Sequence, residues 1–338
     1  MRKDCREVKS ITIAQVDSYH RRNTEERENN LDYSVCGFGE ARYYTSDRYE
    51  RLIRDEQNPS FLRRPNGKPM LGFGIEVETE CWGIKREDVL AELLTKVIFS
   101  HFPEGLWKLQ SDASLLGGDS SAECISQVMT KEFIRNHYKD FKLMYSVYFP
   151  SFGISASRSG NCGMHTNVSL GNFGKTPEAQ AEAVRKLGYI LSKHYDFCAA
   201  LLRRNVGTTP QEREDLTYYC HQMSTDKAWW QNLDLQNNLS DHGVCFNLGH
   251  YNEGRVEIRL IGGQMDYPSF RNTMECIFHL VSRVCKLSWS DCDKLEVIFR
   301  GCNQYVFDRL RSYCKDAGTV TDEQLAAIRE TIVRADYI

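Results

Sequence analysis

The sequence predicts an α+β fold with a mostly antiparallel, curved sheet and helices on one face. Three observations predict it: short stretches that alternate apolar and polar residues with period two, longer stretches with apolar residues at helical spacing, and the interleaving of the two along the chain.

The elements follow in order. Residues 1–70 are rich in charge, Asn and Tyr, and close on the breakers Asn58-Pro59-Ser60 and Arg64-Pro65-Asn66-Gly67-Lys68-Pro69. They are expected to form an N-terminal extension or accessory segment: a lid, an oligomer contact, a substrate-specificity arm or a partly ordered tail. A main domain is expected over 71–290, with a C-terminal helical segment packed on it over 291–338. Gly72-Phe73-Gly74-Ile75-Glu76-Val77-Glu78-Thr79-Glu80 reads as a strand with its carboxylates on one face. Shorter strands are expected at Ser121–Ser126, Gly163–Leu170 and Arg255–Ile261.

Helices are expected between them. Leu90, Leu93, Leu94, Val97 and Ile98 have helical spacing over Glu87–Ser100, as do Ile134, Tyr138, Phe141 and Tyr145 over Lys131–Tyr148. Thr176-Pro177-Glu178 supplies an N-cap, a first-turn proline and an early acid to a long helix burying Val184, Leu187, Leu191, Tyr195, Cys198 and Leu202. Another helix spans about 267–288, with Phe270, Met274, Ile277, Phe278, Val281 and Val284 inward, and Thr321 with Gln324 forms a capping box for the last one.

Polar residues collect on the strand faces that the apolar positions leave. Glu76, Glu78 and Glu80 share one face; His165, Asn167 and Ser169 share another; Arg255, Glu257 and Arg259 share a third; and Glu123 sits on the short strand. If these strands join in one sheet, the carboxylates and the imidazole suit two or three hard divalent cations, and the Arg259 guanidinium suits a bidentate hold on phosphate. Each group has a competing reading: a solvated acidic face for the Glu row, a hydrogen-bonded structural histidine for His165, and a cross-strand salt ladder for Arg255, Glu257 and Arg259. His221, His242 and His250 lie in a Tyr/Trp/Asn-rich region and read as loop packing or substrate wall; Glu80, Arg203 and Arg204 are candidates to extend the site. No GxxxxGKS phosphate loop is present, and Gly72-x-Gly74 precedes a strand, so it is not a dinucleotide fingerprint.

Taken together, five elements resemble the amidoligase family, a branch of the glutamine synthetase and glutamate-cysteine ligase superfamily of carboxylate-amine ligases. They are Gly74-x-Glu76-x-Glu78; Trp107 followed by Asp112-x-Ser114-Leu115; Glu123-Cys124-Ile125-Ser126; Cys162-Gly163-x-His165-x-Asn167-x-Ser169; and Asn247 with Arg255-x-Glu257-x-Arg259. The likeness covers about Leu71 to Cys285, in the family's order. It departs at Asn167, where the family carries a second histidine; an amide oxygen is a weaker, uncharged ligand.

The resemblance implies a glutamine-synthetase-like catalytic domain over 71–290 that binds ATP with Mg²⁺ or Mn²⁺. It implies metal ligation by Glu76, Glu78, Glu123, His165 and Glu257, nucleotide contacts from Arg255, Arg259, Asn167 and Ser169, and catalytic roles for Arg259, Asp112 and Asn247. ATP would phosphorylate a substrate carboxylate, and an amine would attack the acyl phosphate to give an amide of isopeptide type; Asp112 or Glu80 would take the amine's proton. The carboxylate and amine partners are small molecules or peptide-linked groups. Two alternatives stand beside this one: a metal-ATP phosphotransferase of the same superfamily, and a non-catalytic nucleotide-binding protein.

Composition agrees with an enzyme of this kind. The 338 residues allow a substantial core, and 41% hydrophobic with 26% charged residues is ordinary for a globular protein. A net charge of −3 gives no polycationic footprint, so nucleic acid is not indicated as a partner except as a modified substrate. The 13 cysteines are scattered singly without a CxxC pair, which reads as reduced thiols and not as a zinc finger. The charged N-terminus lacks a signal-peptide core, and no apolar run reaches the ~18 residues of a membrane span. A cytoplasmic enzyme without membrane contact, with homo-oligomerisation possible, is the expectation.

Overall fold

The computed structural model describes residues 72–81, 90, 93–94, 98–102, 106–110, 120–156, 162–202, 220–237, 243–263 and 266–333. The expected 1–70 extension, Asp112, Arg203, Arg204, His242 and most of the Glu87–Ser100 helix lie outside them. The fold is α+β with antiparallel strand pairing, and the chain divides into two compact units.

The first unit includes Gly74–Met164. Its strands are β1 (Phe73–Cys81), β2 (Trp107–Gln110), β3 (Ser120–Ser126) and the short β4 (Ile154–Ser155). They run in the order β2-β3-β1, with β4 also on β1. The period-two pattern of β1 is obeyed: Ile75 and Val77 are buried on the face that also carries Thr79, whose hydroxyl donates to the Ala122 carbonyl at 2.7 Å. The Ser126 hydroxyl, also on that side, accepts from the Ile75 amide at 2.8 Å, pinning the register. Trp107 stacks on Phe99 at 5.1 Å, and Phe102 meets Phe141 edge-on at 5.0 Å, so the β2 end of the unit is closed by aromatic packing.

The expected helix over Lys131–Tyr148 is segmented into α1 (Lys131–Asn136), α2 (Tyr138–Leu143), a π turn over Met144–Tyr148 and α3 (Phe149–Phe152). The first break has a local cause. The His137 ring stacks on Phe133 at 3.9 Å and its Nδ1 donates to the Phe133 carbonyl at 2.8 Å, so a side chain claims a carbonyl of the ladder and His137 leaves helical geometry. The inward positions Ile134, Tyr138, Phe141 and Tyr145 are buried as the spacing requires.

The second unit includes His165–Gly262 and Pro268–Ile338. It holds β5 (Met164–Ser169), α4 (Pro177–Lys193), α5 (Tyr195–Leu201), α6 (Lys227–Asn232), β6 (Phe246–Asn247), β7 (Arg255–Ile258), α7 (Tyr267–Val284), α8 (Leu295–Ile298), α9 (Gln304–Arg309) and α10 (Asp322–Arg329). Strand β7 lies between β5 and β6. The Thr176 side chain accepts from the Ala179 amide at 3.3 Å and Pro177 opens α4, as the sequence signals. The expected continuous helix to Leu202 breaks at His194, whose Nε2 donates to the Cys292 carbonyl at 2.9 Å. On α7, Phe270, Met274, Ile277, Phe278, Val281 and Val284 are all buried, and the helix stops at Val284. The capping box forms as expected, with Thr321 and Gln324 exchanging hydrogen bonds of 2.9 and 3.2 Å.

Two features lock this unit. A Cβ on Gly188 of α4 would run into the Trp230 ring of α6 and approach Phe246 of β6 at 3.0 Å, so the missing side chain lets Trp230 pack directly on the α4 backbone. Arg309 is 1% exposed and donates to the carbonyls of Leu201 (2.9 Å) and Ser269 (3.2 Å) and to the Thr273 hydroxyl, tying α5, α7 and α9 together. Cys198, Cys245, Cys276, Cys302 and Cys314 fill the spaces between helices as small apolar groups. Burial pushes the thiols of Cys245, Cys302 and Cys314 up to about 12. No helix among the described residues is long and apolar enough to cross a membrane.

Candidate functional site

The strands of the first unit settle where its carboxylates stand. In the antiparallel β1–β3 pair Glu78 lies directly opposite Glu123, Glu76 opposite Ile125 and Glu80 opposite Ser121. Residues opposite one another point to the same side, so Glu76, Glu78, Glu80 and Glu123 share a face. That face is not a solvated one. Glu78 is 5% and Glu80 0% exposed, with Glu76 and Glu123 half-buried, which overturns the solvated-acid reading at Glu78 and Glu80.

Glu78 is held from the adjacent loop: its amide donates to the Gly163 carbonyl at 3.2 Å and its carboxylate accepts from the Gly163 amide. Carboxylate oxygens of Glu76 and Glu123 lie within 4.8 Å of one another. At an effective dielectric of about 20, two full charges no farther apart than this repel by roughly 3 kcal/mol or more. That limit is compatible with two oxygens each about 2.1–2.5 Å from one ion, so the pair is able to share a divalent cation.

The second unit assembles a different set. On β5, β7 and β6, Asn167, Glu257 and Asn247 lie in one row across the three strands, with Ser169 opposite Arg255 in the next row. Met164, Val168, Val256, Ile258 and Phe246 are fully buried on the other side of these strands. Gly254 takes φ +89 in the turn before β7, a left-handed conformation that suits glycine and starts the Arg255 row in register.

Glu257 is the hub of this set and is 4% exposed. Its Oε2 accepts from Asn247 Nδ2 at 2.8 Å, and its Oε1 accepts from Arg259 Nη1 at 2.8 Å and lies 3.4 Å from His165 Nδ1. Asn247 cannot turn its amide without loss, because its Oδ1 accepts from the Gly249 amide at 2.9 Å. Arg259 Nη1 also stands 3.4 Å from His165 Nδ1, so that nitrogen faces a donor and an acceptor at equal range. With the proton on Nδ1 directed at Glu257, Nε2 carries the lone pair that a cation requires; with Nδ1 accepting from Arg259, it does not. Arg259 Nε is buried without a hydrogen-bond partner among the described residues.

Arg255 Nη1 donates to Asn167 Oδ1, and its Nη2 reaches Glu253 Oε2 at 3.4 Å. His250 Nδ1 meets the same Glu253 oxygen at 3.0 Å; that hydrogen bond, with Arg255 adding to it, holds the Glu253 carboxyl below the usual range.

The structure brings Glu76, Glu78 and Glu123 together on β1 and β3, and His165, Asn167, Ser169, Asn247, Arg255, Glu257 and Arg259 together on and beside β5, β6 and β7, where the sequence led to one metal set of Glu76, Glu78, Glu123, His165 and Glu257. Asp112 lies outside the described residues. The sequence reading missed Glu253 and the Gly163 amide. An acid two residues before Arg255 and three after His250 was a signal for the first; a glycine backbone donor leaves no sequence signal. His221 bridges Val244 and His250 pairs with Glu253, in line with loop packing. Comparison with protein-family models and with curated proteins found nothing that matches this chain.

Proposed function

We propose that this chain is an ATP-dependent carboxylate-amine ligase of the cytoplasm, using Mg²⁺ or Mn²⁺ and an acyl-phosphate intermediate on a glutamine-synthetase-like catalytic domain with helices on one face of a curved sheet. One observation carries the reading: a row of carboxylates on one face of β1 and β3, buried at Glu78 and Glu80 and half-buried at Glu76 and Glu123, with Glu78 directly opposite Glu123. Four carboxylates gathered on one face offer the oxygen ligands that a hard divalent cation takes.

Glu76, Glu78 and Glu123, with His165 through Nε2, are the residues that would hold the ions. When bound, the ions supply positive charge against the phosphate oxygens. Glu257 serves this reading as the group that orients His165 and Arg259, since both its oxygens accept hydrogen bonds from neighbours. Among the described residues the contacts of Arg259 with Glu257 and His165 use Nη1, which leaves Nη2 for the terminal phosphate of ATP. An oxygen of the substrate carboxylate attacks that phosphorus and the bond to ADP breaks. The amine then attacks the acyl carbon, phosphate leaves, and the amine's extra proton passes to a carboxylate, that of Glu80 or Asp112. Asn247 stands beside this chemistry, holding Glu257 in place.

The test is a screen of amino acids, polyamines and small acids for ADP release, with mass detection of the product and hydroxylamine as a trap. ADP, phosphate and a hydroxamate are expected. AMP with pyrophosphate refutes the acyl-phosphate route, a stable phosphorylated product without amide favours a phosphotransferase, and tight ATP binding without turnover favours a binding protein.

A further inference from the structure

We propose that Asn167 is a positioning residue, whose amide oxygen fixes the Arg255 guanidinium for recognition of an oxyanion, and that it is not a metal ligand. The proposal rests on the nucleotide-binding reading above for the identity of the anion, a phosphate of ATP, but its geometry stands within β5, β7 and the turn that leads into β7.

Asn167 pairs with Glu257 and Ser169 with Arg255, so Asn167 and Arg255 are diagonal neighbours on one face, within reach of a long side chain. Arg255 Nη1 donates to Asn167 Oδ1 and Nη2 to Glu253 Oε2, so each arm of the fork is held by an acceptor. The guanidinium has five N–H donors and these contacts use two. Its Nε–H and one hydrogen on each arm have no partner among the described residues, and the side chain is 33% exposed. A planar cation held at both arms, half-open to solvent, with the Ser169 hydroxyl on the facing position, is a preorganised oxyanion seat.

The same contact argues against a metal at Asn167. A divalent ion about 2.1–2.5 Å from an oxygen that already accepts from a guanidinium at hydrogen-bond range would lie within about 5 Å of a like charge. An amide oxygen brings no negative charge to offset that repulsion. The position therefore serves the anion through Arg255 and leaves cation binding to the carboxylates.

Two measurements on the full-length chain test this. In protein labelled with ¹⁵N-arginine, assigned by its loss in Arg255→Lys, the Arg255 Nη resonances should be split by hindered rotation in the wild type and in Asn167→Asp, which keeps the acceptor. They should collapse in Asn167→Leu. Free rotation in the wild type, or no change in Asn167→Leu, overturns the proposal whatever the nucleotide does.

In calorimetry, Mn²⁺ bound per chain should be equal in wild type and Asn167→Leu. The affinity for Mg·ATP should fall about tenfold in Asn167→Leu, and the double variant with Arg255→Lys should be no weaker than Arg255→Lys alone. Loss of Mn²⁺ in Asn167→Leu, or full additivity of the two substitutions, overturns it. Failure of the wild type to bind Mg·ATP refutes the nucleotide reading, and with it the identity of the anion, while the rotation measurement still decides the role of Asn167.

Discussion

Replacing Glu257 by Gln removes one charge and turns one acceptor into a donor at the centre of the β5–β7–β6 row. Whichever way the new amide faces, its NH₂ group meets a donor: Arg259 Nη1 on one side or Asn247 Nδ2 on the other, each now 2.8 Å from an acceptor oxygen. Asn247 cannot relieve the clash by turning over, because its Oδ1 would give up the Gly249 amide. The loss is one charge-assisted hydrogen bond, about 2 kcal/mol, plus one neutral donor left unsatisfied, a further 1–2 kcal/mol or so. Arg259 also keeps a side chain that is 17% exposed without its counter-ion, which leaves the total at roughly 3–4 kcal/mol. Urea unfolding followed by tryptophan fluorescence, comparing midpoints at constant slope, measures it. A loss below about 1 kcal/mol would refute the hub assignment and return Glu257 to the cross-strand salt-ladder reading.

Three further outcomes are expected. Glu78→Gln should weaken Mn²⁺ binding by about tenfold or more in calorimetry while the chain stays folded, since Gln retains an acceptor for the Gly163 amide; undiminished binding would take Glu78 out of the ligand set. Gly188→Ala should cost roughly 1–3 kcal/mol in urea unfolding, because a methyl group meets the Trp230 ring and Phe246, and an unchanged midpoint would mean that α4 and α6 separate freely. Burial lowers the pKa of His194 from 6.5, so the unfolded chain takes up its proton first as pH falls: this contribution to stability is complete above about 6.5 and is lost on acidification below it. His194→Gln should therefore flatten the fall in stability between pH 7 and 5.5, and an identical slope in both proteins would contradict the assignment.

How far the site was legible depends on which physical rule governs each residue. Period-two alternation alone put Glu76 and Glu78 on one face and His165, Asn167 and Ser169 on another, because side-chain direction in a strand is a local property. Burial of Glu78 and Glu80 was not legible, since it depends on what covers the face. Register was not legible either: that Glu78 faces Glu123, and Asn167 faces Glu257, follows from pairings between residues 45 and 90 positions apart. The caps at Thr176 and Thr321 were readable because each closes within one helical turn. The breaks at His137 and His194 were not, because a histidine in an apolar-periodic stretch gives no sign that its ring will seek a carbonyl.

The thiols between the helices of the second unit carry a kinetic consequence. Cys198, Cys245, Cys276, Cys302 and Cys314 are sealed from solvent and held protonated, so a thiol reagent meets each of them only when its own element opens. They sit on or beside α5, β6, α7, α8 and α9. Pulse alkylation with mass readout would then time the opening of these elements one by one, in the unaltered protein, from side chains that the chain already carries as packing.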